Sequence, residues 1–143
     1  MNNSSVIPKW YKIIAIIAVI WNILGLLAFV GHIMMTPDML ATLPLAEQEL
    51  YKNMPLWATL AFATAVLTGL LGSIGLLLKK AFCLPLLITS LIAVIIQDIH
   101  SFLVIDTISV YGAQAIIMPI FVIIIAIFLI FLAKKAKNNH WFE

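Results

Sequence analysis

The chain has 143 residues, of which 64% are apolar and 10% are charged, and its mean hydropathy is +1.17. A soluble globule of this length could not cover its surface with so few polar residues, so the composition indicates an integral membrane protein. The net charge of +2 comes from lysines without any arginine, and this pattern does not predict nucleic-acid binding.

Four apolar stretches are long enough to cross a hydrocarbon layer of about 30 Å, which takes roughly 20 residues as a helix. The chain is therefore expected to form one all-α membrane domain, a polytopic bundle of four transmembrane helices with a short amphipathic outer helix. The expected helices lie at about 10–35, 55–79, 82–105 and 111–135, and the outer loop at 36–54. None of the stretches has the alternation of apolar and polar residues that marks a membrane β-strand.

The first stretch follows Lys9 and Lys12, as the core of a signal peptide would. It is longer than such a core, at about 22 residues, and lacks a small-residue cleavage site before the next loop. We therefore expect an uncleaved first helix. Small residues and Asn22 recur on one stripe of it: Ala15, Ala18, Asn22, Gly25 and Phe29.

The outer loop contains two predicted helix starts. Thr36-Pro37-Asp38 combines a hydroxyl cap, a proline at the first position and an acid in the first turn. Pro44 opens a second short helix, in which Ala46, Leu50 and Met54 recur at a spacing of four residues. This spacing predicts an amphipathic helix on the membrane surface, acting either as a lid over a central pocket or as a linker.

The second membrane helix is expected to be the packing centre, because small residues let helix backbones approach closely in lipid. Its stripe consists of Ala58, Ala61, Ala65, Gly69, Gly72 and Leu76. The first three helices should form the tight core. The fourth, Ile120–Leu132, is apolar all round and is expected to be the most exposed to lipid.

Seven of the eight lysines lie at alternate ends of the four stretches, and five of the six acids lie at the other ends. By the positive-inside rule, both termini and the Lys79-Lys80 turn are expected in the cytoplasm. Anionic lipid head groups are the expected partners of Lys134, Lys135 and Lys137. A cytoplasmic aromatic belt is predicted from Trp10, Tyr11, Trp141 and Phe142.

Cys83 is the one cysteine, so the chain cannot form an internal disulfide. We expect a small buried hydrophobe at this position. No cofactor is predicted, and an enzyme is disfavoured: the sequence has no phosphate-binding loop, catalytic triad or His-Glu-x-x-His motif.

Polar residues are costly inside a membrane, so each one is a functional candidate. The main candidates are Gln97, Asp98, His100 and Ser101 on the third helix. On a helical wheel Asp98 and His100 diverge by about 160°, so one helix cannot bring both onto the same ion. His32, at the outer end of the first helix, is the expected partner. Trp57 near Gln97 is a further candidate, because it would combine an aromatic ring for stacking with a polar side chain.

Three interpretations of Asp98 stay open. It is a titrating group that handles protons or solute, or it pairs with His100 or His32 from another helix or protomer, or it extends outward to the head groups. Asn22 is expected to form a hydrogen bond between helices more readily than to bind a ligand.

The outer methionines lie near His32 and His100, and thioether with imidazole suits copper(I). No tight Met-x-x-Met or His-x-His spacing supports such a site.

Several motifs form a recognisable succession: Met35-Thr36-Pro37, Pro55-Leu56-Trp57-Ala58, Phe62-Ala63-Thr64-Ala65-Val66, and Ser90-Leu91-Ile92-Ala93-Val94 with Gln97. Over roughly residues 10 to 135, the chain resembles a group of small, uncharacterised bacterial four-helix membrane proteins that are sometimes loosely called sugar transporters. The resemblance implies a bacterial inner-membrane location and the same four-pass layout. It carries over no substrate or catalytic residue.

Three functions remain open from the sequence. The first is a protein that binds or transports a small solute through an outward-facing polar site, as a homo-oligomer. The second is a non-catalytic membrane interaction protein, in which the same polar residues hold helices of a partner or a second copy together. The third is a protein that handles metal or lipid at the outer face.

Overall fold

The computed structural model describes residues 6–104 and 106–143, and within these ranges the chain is helical without any strand. Four of the helices are long and apolar enough to cross a membrane: Lys9–Ile33, Leu56–Leu77, Cys83–Val104 and Gln114–Asn138. The elements in chain order are α1 (Lys9–Ile33), α2 (Pro37–Ala41), α3 (Leu45–Lys52), α4 (Leu56–Leu77), α5 (Cys83–Ile99), a π-helical segment (His100–Val104), α6 (Thr107–Tyr111) and α7 (Gln114–Asn138).

The long helices pack in the order α1, α4, α5 and α7, with α4 in contact with both α1 and α5. The start of α1, the α4–α5 turn and the end of α7 lie together, and we call this the lysine end. The connections that contain α2, α3 and α6 form the opposite end, which we call the loop end.

Glycines bring the backbones of α4 and α5 together. A Cβ atom on Gly72 would lie 2.9 Å from the side chain of Leu87, and a Cβ atom on Gly75 would lie 2.6 Å from the ring of Phe82. Both distances are too short for carbon atoms in contact. The expected small-residue stripe therefore does form the centre of packing, and Ala58, Ala65, Gly69, Gly72 and Leu76 are all buried.

Two aromatic residues of the expected belt are buried instead. The Tyr11 hydroxyl donates a 2.7 Å hydrogen bond to the Leu76 carbonyl oxygen. Its ring contacts Trp141 edge to face, with the centroids 5.3 Å apart. The assignment of Tyr11 and Trp141 to a belt is therefore wrong. The tail after α7 folds back over the bundle, and both side chains are buried in the core. Trp10 is 41% exposed and stays at the surface.

The return of the tail depends on how α7 ends. His140 adopts a left-handed conformation with φ 54°, and the Trp141 N–H then donates 2.9 Å back to the Ala136 carbonyl oxygen. This is the Schellman pattern, which closes a helix and reverses the chain. Beyond it, the Glu143 N–H donates 2.9 Å to the Lys79 carbonyl oxygen, so the tail lies on the α4–α5 turn.

The expectation that α7 is the most exposed helix is also wrong. Of the four long helices, α1 has the smallest buried fraction. The core at the lysine end includes four residues of α7: Leu129, Leu132, Ala133 and Ala136. The two alanines on one face let α7 approach its neighbours, so the core is not confined to the first three long helices.

The loop end follows the predicted helix starts. Thr36 Oγ1 accepts a 3.2 Å hydrogen bond from the Met39 N–H and caps α2, and Pro44 precedes α3. Helix α3 ends at Lys52, so Met54 lies outside the expected amphipathic stripe. Gly112, with φ 67° and ψ −156°, separates α6 from α7, and this conformation suits glycine almost exclusively.

Candidate functional site

A cavity of about 420 Å³ lies among the four long helices, and all four contribute to its wall. The wall is mostly apolar. Its polar and indole groups are few, and they come from two helices only: Trp21 and Asn22 of α1, and Ser90, Gln97 and Asp98 of α5. Pockets of this size and character are the usual form of a small-molecule site.

Asn22 is held in one orientation. Its Nδ2 donates 2.9 Å to the Ala18 carbonyl oxygen and 2.8 Å to Ser73 Oγ. Because a carbonyl oxygen can only accept, the amide nitrogen must face Ala18, and Oδ1 must point the other way. The expected interhelical bond from Asn22 is present, and the amide oxygen lies against Gly69, another residue of the cavity wall.

Gly69 of α4 makes room for this arrangement. A Cβ atom there would collide with Asn22 Oδ1 and would lie 2.9 Å from Ser90 Oγ. Ser90 in turn donates 2.7 Å to the Ala65 carbonyl oxygen and so joins α5 to α4. The polar groups of α1 and α5 therefore meet across a position that has no side chain.

Gln97 and Asp98 form the polar wall on α5, towards the loop end. They share a face with Ser90 and Val94, as the helical period requires. Asp98 is the one charged residue among the described residues of the wall, and its buried Oδ2 has no hydrogen-bond partner there. Asp98 thus lines the cavity without a counter-charge from any described residue of the wall.

His100 lies elsewhere, although it follows Asp98 by two residues. It is 1% exposed, and its ring contacts the Trp57 ring edge to face, with the centroids 4.9 Å apart. Neither ring nitrogen has a hydrogen-bond partner among the described residues. His100 begins the π-helical segment, a type of turn that occurs often at functional positions.

His32 and Ser101 are separate from both groups. The His32 ring stacks on Tyr51 of α3, with the centroids 5.1 Å apart. The Ser101 carbonyl oxygen accepts a 3.1 Å hydrogen bond from Thr107 Oγ1 of α6.

The predicted outer cluster is thus divided. Gln97 and Asp98 lie with Asn22 in the cavity, while His32, Trp57, His100 and Ser101 lie outside its wall. Within the described chain Asp98 and His100 are not paired: Asp98 Oδ2 and both His100 nitrogens have no hydrogen-bond partner. Pairing with a histidine of a second copy stays a prediction.

At the loop end, burial and the nearby Glu47 carboxylate of α3 raise the pKa of Tyr111 in α6. Among residues 6–104 and 106–143, no group of three or more His, Cys, Asp or Glu side chains is placed to hold a metal ion. Cys83 is buried in the core, as its position predicts.

Sequence reasoning missed Ser90 and the wall contributed by α7. Ser90 could have been found, because it precedes Gln97 by seven residues and so lies two turns away on the same face. The α7 wall, which includes Met118, Pro119 and Val122, has no polar residue to mark it.

Comparisons with protein-family models, with curated proteins and with solved structures give no match to this chain.

Proposed function

We propose that the chain is a four-pass protein of the cell inner membrane with both termini in the cytoplasm. Four helices of suitable length and hydropathy support the insertion. The arrangement of charge supports the orientation: Lys9, the Lys79-Lys80 turn and Lys135 share one end of the bundle. Cationic ends of membrane helices stay on the cytoplasmic side, where anionic lipid head groups are the natural partners of the lysines.

We further propose that the protein binds a small, mostly apolar solute in the central cavity. The observation that carries this proposal is Asp98, which lines a mostly apolar space of about 420 Å³ and whose Oδ2 has no hydrogen-bond partner among the described residues. An ionisable side chain within a membrane helix marks a functional site by default. The few polar groups would fix the orientation of the solute, and the apolar wall would supply most of the contact.

The alternative function, a non-catalytic interaction protein, uses the same polar residues to hold a partner. One of them is already used within the chain, since Asn22 bonds to Ser73 of α4. Solute binding therefore accounts for the cavity better. A homo-oligomeric state and a transport step stay predictions from the sequence.

The proposal is tested with 1-adamantanol, a compact apolar cage with one hydroxyl group, by its effect on the thermal unfolding midpoint of the purified protein. Val122 lines the cavity, so Val122→Trp should fill the space and abolish the stabilisation by the compound. Ile124 lies on the same helix but is 57% exposed, so Ile124→Trp is the matched control and should respond like the wild type. An equal response from all three proteins would mean that the compound acts outside the cavity and would contradict the proposal.

A further inference from the structure

The cavity has an unbalanced charge. Asp98 is acidic, and the described wall contains no lysine, arginine or histidine. An ionised carboxylate in apolar surroundings carries a large desolvation cost unless a cation or hydrogen-bond donors approach it. The residues that the structure describes supply neither to the buried Oδ2.

Other groups of the wall are compatible with a positive charge. The Asn22 amide nitrogen is engaged by Ala18 and Ser73, which leaves its oxygen as an acceptor beside Gly69. Trp21 lies in the same wall, and an indole face attracts cations. Asn22 lies at the level of Ser90, eight residues or about 12 Å along α5 from Asp98, so the carboxylate is the group that would bind an ammonium ion.

The rest of the wall defines the remainder of the ligand. Ala28 and Val66 on one side and Val122 and Ile125 on the other present only apolar surface. A sugar or another polyol would leave most of its hydroxyl groups without partners here, which costs binding free energy. A carboxylate ligand would bring a second negative charge towards Asp98.

We propose that the ligand of the central cavity is a small apolar amine, bound as its ammonium ion by the Asp98 carboxylate with its hydrocarbon body against α7. This inference rests on the proposed function, since it specifies what the same cavity binds.

The test compares three molecules that share one cage and differ in charge: 1-adamantanamine, 1-adamantanol and 1-adamantanecarboxylate. An alkylamine is protonated at pH 7, so the three carry charges of plus one, zero and minus one. Their dissociation constants are measured with the full chain in detergent by calorimetry. We expect the ammonium ion to bind at least about tenfold more tightly than the alcohol, and the carboxylate to bind most weakly.

Three variants assign the preference to one residue. Asp98→Asn should bring the amine and the alcohol to similar affinity, whereas Asp98→Glu should keep the amine preference. Asp106→Asn removes an exposed acid at the loop end, outside the cavity wall, and should change nothing.

The outcomes separate the two proposals. Binding of the alcohol that Val122→Trp abolishes, without any preference for the amine, overturns the amine inference and leaves the cavity function intact. The absence of cavity-dependent binding by all three compounds overturns both. The comparison in the wild-type protein decides the inference even if Asp98→Asn does not fold.

Discussion

Gly69 lies where α1, α4 and α5 approach one another. Asn22 and Ser90 can take their positions only because this residue has no side chain. Asn22 Oδ1 and Ser90 Oγ both occupy the space that a Cβ atom would take. Each of these side chains is held by a hydrogen bond to α4, from Asn22 to Ser73 and from Ser90 to Ala65. Neither can move aside without losing that bond.

Gly69→Ala should therefore destabilise the bundle, by about 1–3 kcal/mol as for other overpacked positions. Gly31→Ala is the matched control: nothing lies within 4 Å of a Cβ atom at that position of α1, and alanine is the better helix former. The free energy of unfolding of both variants is measured in detergent by thermal or denaturant unfolding. Equal stability of the two variants would show that Asn22 and Ser90 can move away from position 69 at no cost in free energy.

At the scale of the element, α5 demonstrates how far sequence alone reaches. Its length and apolar character predict a membrane helix, and the helical period places Gln97 and Asp98 on one face. The wheel separates Asp98 from His100, and the structure does direct them to different surroundings. The π-helical turn and the contact of His100 with Trp57 could not be predicted, because both depend on how α4 and α5 pack.

The same limit applies to α1 and α7. Their patterns predict helices but do not reveal that both face a common cavity. Nor could the burial of Trp141 be predicted, since it depends on the left-handed turn at His140. The lengths of the helices, their caps and the charges at their ends could be predicted from local sequence. The identity of the side chains that meet across helices could not.

Helices α1 and α7 flank the cavity, and the Trp21 and Phe121 rings meet edge to face across the space between them at 5.5 Å. Phe121 is 51% exposed, so this contact lies at the lateral surface of the bundle. Phe121→Ala should widen the lateral route into the cavity. We expect 1-adamantanamine to associate and dissociate several times faster at a nearly unchanged dissociation constant, as measured by stopped-flow tryptophan fluorescence.

Phe128→Ala is the control for that change, because Phe128 lies on α7, is 49% exposed and is not part of the described cavity wall. Exchange rates that stay at the wild-type value in Phe121→Ala would show that the ligand reaches the cavity by another route.

At the scale of the whole molecule, the bundle has two chemically different ends. Lysines of α1, of the α4–α5 turn and of α7 share one end, whereas Asp38, Glu47, Glu49 and Asp106 belong to the elements of the other. The proposed orientation in a membrane rests on this separation and on the positive-inside rule. In that orientation, Gln97 and Asp98 would lie in the outer half of the bundle.

Cysteine labelling of intact cells checks this orientation. With the buried Cys83 replaced by alanine, Lys80→Cys should resist a membrane-impermeant maleimide, whereas Glu49→Cys at the exposed loop end should react. Reaction at position 80 from outside the cell would reverse the orientation and move the polar wall to the cytoplasmic half.

The fold-back of the tail after α7 has a mechanical consequence. Trp141 contacts both Trp10 and Tyr11, and Lys135 lies 5.3 Å above the Trp10 ring, so the two helices that flank the cavity are fastened to each other at one end. Two helices that are held together at one end can separate further with distance from that end. Thermal motion of α1 relative to α7 should therefore be smallest at Trp10 and Trp141 and largest towards the loop end, where Asp98 lies.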